Sequence, residues 1–112
     1  MKSITKNLTF SALMLFAAAA ARSAEAPENW SKNCASCHGA DGAGHTKAGR
    51  MAQVKDMTDA SYQKTFSDEE AAKQIKGGLK SPAGKEKMKA FGDKFSDAEI
   101  KALVDYVRTF KK

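Results

Sequence analysis

Cys34 and Cys37 are separated by two residues, and His38 follows directly. On a helix, residues three apart lie on the same side. Two thiols in that arrangement can both add to one edge of a planar group, and the adjoining imidazole can swing beneath it to a metal. Cys-x-x-Cys-His is the pattern of covalent haem attachment, with the cysteines forming thioethers and the histidine serving as the proximal iron ligand. The motif occurs once, so one haem c is expected, held by Cys34, Cys37 and His38.

Other chemistries of these residues are weaker. A thiol–disulfide redox pair also uses Cys-x-x-Cys, but beside a strand–helix–strand unit that this sequence lacks. A zinc site needs four ligands. Cys34, Cys37, His38 and His45 are the only cysteines and histidines, and the adjacent pair Cys37 and His38 fits two tetrahedral corners poorly. A disulfide between Cys34 and Cys37 would close too short a loop to stabilise much.

A second axial ligand is commonly methionine, which raises the reduction potential. Beyond the N-terminal segment the choices are Met51, Met57 and Met88. Any of them could equally be core filler, and Met57 suits that role. Met51 lies close in sequence to the attachment motif. Met88 sits in a glycine-bordered stretch, Gly84 to Gly92, late enough to wrap over the opposite face. It is the expected distal ligand. His45 is separated from His38 by only six residues, too few to pass round a porphyrin, and reads as a surface histidine.

The elements that position these residues read as three or four helices joined by glycine-containing loops, an all-α arrangement. The first runs from about Pro27 to Cys37 and puts Trp30, Cys34 and Cys37 on one face. A short helix is expected around Thr58 to Gln63. Ser67 with Glu70, and Ser96 with Glu99, form two capping boxes that start the later helices. The first of these ends at Gly77 or Gly78. In the last, Phe95 and Ile100 are placed as a hydrophobic staple. Ile100, Leu103, Val104 and Val107 form an apolar stripe, widened by Tyr106 and Phe110, that packs the core against the first helix.

The chain of 112 residues allows one domain. Residues 1–23 read as a cleaved secretory signal: Lys2 and Lys6, then a largely apolar run of 14 residues from Leu8 to Ala21, then small residues. The run is shorter than the roughly 18 to 20 residues of a membrane span. Cleavage after Ser23 leaves a domain of residues 24–112 in the periplasm, with no membrane span. It also removes Lys2, Lys6 and Arg22, leaving 16 basic and 13 acidic residues. The formal net charge of +6 therefore overstates the basicity of the exported protein. Nucleic-acid binding has no motif to support it.

Over this whole domain the sequence resembles the class I cytochromes c. The resemblance lies in Asn33-Cys34-Ala35-Ser36-Cys37-His38-Gly39, in Asp41-Gly42 and Gly44, in Lys55 to Asp59, and in Ile75, Gly77 and Gly78. It continues from Met88 through Phe91-Gly92 and Ser96 to Ile100, to Tyr106-Val107-Arg108. It implies a cytochrome c fold wrapped around one covalent haem, with Met88 as distal ligand and the first and last helices crossing near Tyr106. Relatives often have proline directly after the ligand methionine, where this chain has Lys89. Many also have proline in the loop whose carbonyl accepts the ring N–H of the proximal histidine. Residues 45–54 contain none, so the partner of His38 is expected elsewhere in that loop.

Iron held by both His38 and Met88 has no open position. That favours a monomeric one-electron carrier over an enzyme. A labile distal bond would instead allow gas binding or peroxide reduction, and a subunit of a larger oxidase would carry the same site. Between Lys73 and Lys89 six lysines face one acid, Glu86. A redox partner with an acidic docking surface is expected there, against the plainer reading of a solvated lysine face.

Overall fold

The computed structural model describes residues 25–112. The expected signal segment, residues 1–23, lies outside them. Helix α1 covers residues 25–33 and is followed, after one non-helical residue at Cys34, by α2 (Ala35–His38). Hydrogen bonding runs through the break: Cys34 N–H donates to Trp30 C=O at 2.8 Å, and His38 N–H to Cys34 C=O at 2.9 Å. The expected first helix is thus present as a kinked pair. Then come α3 (Lys47–Ala52), α4 (Ala60–Gln63), α5 (Asp68–Gly77), a strand pair β1 (Leu79–Lys80) and β2 (Glu86–Met88), and α6 (Asp97–Arg108).

Six helical pieces stand where three or four were expected, because α2, α3 and α4 are only four to six residues long. Segments that short carry no periodic signal. The strand pair was also unforeseen. It is antiparallel, with Leu79 opposite Met88 and Lys80 opposite Glu86, too short to show alternation.

Local chemistry explains the longer helices. Ser67 and Glu70 make a reciprocal capping box at the start of α5, and Ser96 and Glu99 make another at α6. Phe95 and Ile100 are both buried in one core cluster with Trp30, Leu103 and Val107. Trp30 meets Tyr106 edge-on with ring centroids 6.2 Å apart, and Phe110 at 5.0 Å. The first helix therefore packs on the apolar face of the last, as its stripe implied.

The far end of α6 is tied down by Gln63, the one buried polar side chain among the described residues. Its Nε2 donates to the carbonyls of Met57 at 2.7 Å and Val107 at 2.8 Å. Arg108 completes the knot. It donates to Gln63 Oε1 at 3.1 Å, Phe66 C=O at 2.9 Å and Asp68 Oδ1 at 2.8 Å, and its guanidinium lies 4.4 Å from the centre of the Phe66 ring. Replacing Gln63 by leucine keeps the bulk but leaves the Met57 carbonyl without its donor, the Val107 carbonyl with backbone donors only, and Arg108 without the Gln63 Oε1 acceptor. A loss of about 2 kcal/mol is expected, read as a lower denaturant midpoint at unchanged slope. A loss below about 0.5 kcal/mol would show that the knot is not structural.

Candidate functional site

Two adjoining open cavities, of about 180 and 510 Å3, occupy the side of the molecule between the attachment motif and the β1–β2 pair. Cys34, His38, Met57, Tyr62, Gln74 and Met88 border both of them. Cys37 joins the rim of the larger. Ile75, Leu103, Val104 and Val107 give the smaller an apolar wall drawn from α5 and α6. The space is in the size range of a small-molecule site, largely apolar with a few convergent polar groups.

Each motif residue is placed by the helix that carries it. Cys34 is half-buried, and burial together with the nearby Cys37 pushes its thiol up to about 11. A thiol–disulfide catalyst needs the opposite, a thiolate stabilised at neutral pH. The His38 ring is also held below its ordinary value by burial, so it is neutral and offers a lone pair to a metal. Its Nδ1 is buried with no hydrogen-bond partner among the described residues. The Trp30 ring lies 5.5 Å from the imidazole, and its Nε1–H donates to Gly39 C=O at 3.0 Å, fixing the end of the motif. Two thiols, a neutral imidazole and a thioether around one apolar space fit the demands of covalent haem.

The loop expected to supply a partner for His38 grips its neighbour instead. Thr46 Oγ1 donates to Cys37 C=O at 2.7 Å and accepts from Gly49 N–H at 2.8 Å as the N-cap of α3. Gly49 lies so close that a β-carbon there would overlap the Cys37 carbonyl. The loop thus closes the C-terminal end of the attachment helix, where a carbonyl would otherwise be unsatisfied. Thr46 is not singled out by the sequence, since its partner is a backbone carbonyl nine residues away.

The methionines separate clearly. Met51 is 78% exposed on α3. Met57 packs against the core cluster, as expected of a filler, and also borders both cavities. Met88, on β2, borders both as well. His45 is exposed. Gln74 was not foreseen. It stands on the cavity side of α5 with Glu70, Ala71 and Ile75, an i, i+1, i+4, i+5 stripe that the sequence does contain.

Residues 23–111 match the family model described as cytochrome c. Among solved structures the chain is similar to the KustC0563 c-type cytochrome. The two are 36% identical with a TM-score of 0.67, over 78% of this chain and 98% of that one. A tyrosine-to-phenylalanine mutant of Kustc0563 aligns at 34% identity and a TM-score of 0.65, over 78% of this chain and 99% of the other. No match was found among curated proteins.

Proposed function

The chain belongs to the cytochrome c family, whose members carry covalent haem c and typically transfer electrons, and from that premise we propose a periplasmic one-electron carrier with iron held by His38 and Met88. The observation that carries the ligand assignment is the shared border. His38 and Met88 line the same two cavities with Cys34, while the rival Met51 points to solvent. Met57 also borders the space, but its backbone N–H donates to Gly42 C=O, tying it to the loop that leaves the attachment motif. That tether favours Met88, which lies on a different part of the chain, as the ligand opposite His38.

The haem supplies reversible one-electron chemistry at its iron. The chain supplies everything else. Cys34 and Cys37 fix the ring's edge. His38 brings a neutral nitrogen, oriented by Trp30. Ile75, Leu103, Val104 and Val107 exclude water from the apolar side, which favours the less charged state of the site. No side chain is required to move a proton.

Export rests on residues 1–23. Among the described residues no helix is long and apolar enough to cross a membrane. Protein recovered from the periplasm should have the mass of residues 24–112 plus one haem that survives denaturation. An intact N-terminus, or haem that extracts into acidified solvent, would count against it.

The ligand reading is checked by the reduced-state absorption spectrum with and without carbon monoxide. Wild type should bind carbon monoxide only slowly. Met88→Ala should keep the haem attached, bind carbon monoxide readily, lower the reduction potential and lose the weak red absorption of an oxidised iron–sulfur bond. Met51→Ala and Met57→Ala should keep that absorption. Loss of the band in either of these, with retention in Met88→Ala, would reassign the ligand.

Docking of a partner is proposed at the lysines around Met88. Lys87 and Lys89 border the larger cavity. Lys73, Lys80, Lys85, Lys87 and Lys89 have no carboxylate within salt-bridge distance among the described residues, whereas Lys76 is paired with Asp97 at 3.0 Å. Electron transfer with an acidic partner should slow as ionic strength rises from about 0.01 to 0.2 M. A flat or rising rate would rule out an acidic docking surface.

A further inference from the structure

We propose that Gln74 is the positioning residue for the Met88 thioether, and that the last turn of α5 holds the distal side of the site. The inference rests on the reading of Met88 as iron ligand. Gln74 Nε2 lies 3.9 Å from Met88 Sδ, the reach of an amide N–H donating to sulfur. Such a contact is weak alone. What gives it consequence is how firmly the backbone of Met88 is set against the same helix.

Gly78 closes α5 by donating its N–H to Gln74 C=O at 2.7 Å, with φ at +75°. A β-carbon at Gly78 would lie 2.7 Å from Met88 C=O and 2.9 Å from Ala90 N, so the two segments touch backbone to backbone. Leu79 pairs with Met88 immediately beyond. After Met88 the chain returns to α5. Phe91 N–H donates to Ile75 C=O at 2.9 Å and Gly92 N–H to Lys76 C=O at 3.1 Å, satisfying carbonyls that a helix end leaves unpaired.

Residues 88–92 are therefore clamped to residues 74–78. The stiffness that a proline after the methionine would supply comes instead from this clamp, and Lys89 occupies that position. Only the three side-chain torsions of Met88 remain free, and Gln74 meets their far end. A thioether sulfur has two lone pairs. With the Gln74 N–H on one, the other would remain to bind iron. The same hydrogen bond draws electron density from sulfur and favours the ferrous state.

The test uses the haem-loaded protein and a double-mutant cycle. Gln74 is exposed, so Gln74→Leu should fold, removing the donor and keeping the bulk. In the Met88 background the reduced form should bind carbon monoxide roughly three- to tenfold faster, with a lower midpoint potential and a weaker iron–sulfur band. In the Met88→Ala background the same change should alter carbon monoxide binding less than about twofold. Equal effects in both backgrounds would overturn the proposal, because Gln74 would then act on the pocket and not on sulfur. No effect in the Met88 background would overturn it as well. If Met88→Ala alone fails to open the haem, the ligand reading falls, and this proposal with it.

Discussion

The Trp30 indole touches the attachment segment and the last helix at once. Its ring lies against His38 on one side and against Tyr106 and Phe110 on the other, and its N–H holds the carbonyl of Gly39. Trp30 is also hydrogen-bonded through its carbonyl to Cys34, one turn on. Every group that grips the cofactor edge is therefore referenced to one buried aromatic side chain. That residue is itself set by the apolar stripe of α6. A shift of the indole would disturb the imidazole and the Gly39 carbonyl it touches, since a packed interior transmits displacement rather than absorbing it.

This dependence is sharpened by how little other core there is. The buried cluster has five members, on Trp30, Phe95 and α6, and much of the apolar wall of α5 and α6 turns toward the cavities. A domain of this size is marginal on its own side chains. The haem is therefore structural as well as functional. Bound in the cavity, it would supply apolar mass against Ile75, Leu103, Val104 and Val107, and thioether bonds to Cys34 and Cys37 would keep that mass from leaving. The knot of Gln63 and Arg108 adds hydrogen bonding at the C-terminal end of α6, the end that Trp30 also touches.

Features written within a few residues were legible in the sequence. The attachment motif, both capping boxes, the staple of Phe95 and Ile100, and the stripe of α6 each depend on short spacings, and each appears where those spacings put it. What escaped depends on partners far along the chain. Gln63 meets Val107 across 44 residues, and Arg108 meets Phe66 across 42. The strand pair exists because the chain after Met88 docks on α5, not because Leu79 or Lys87 prefers extended backbone. The cavity stripe of α5 mixes Glu70, Ala71, Gln74 and Ile75, so no apolar periodicity announces it. The loop expected to offer His38 a carbonyl offers none among the described residues: Thr46 binds Cys37 there, and His38 Nδ1 has no hydrogen-bond partner.

The clamp between α5 and the segment after Met88 separates two jobs that neighbouring residues would otherwise share. Where a ligand is stiffened by the next residue in the chain, that position is closed to variation. Here position 89 is relieved of that duty and lies exposed at the rim of the cavity. Its side chain is free to change sign or size under selection for a different partner while the metal site stays as it is. On the proposed ligation and docking, partner contact at position 89 and tuning of the ligand at position 88 are mutationally separable although the two residues are adjacent.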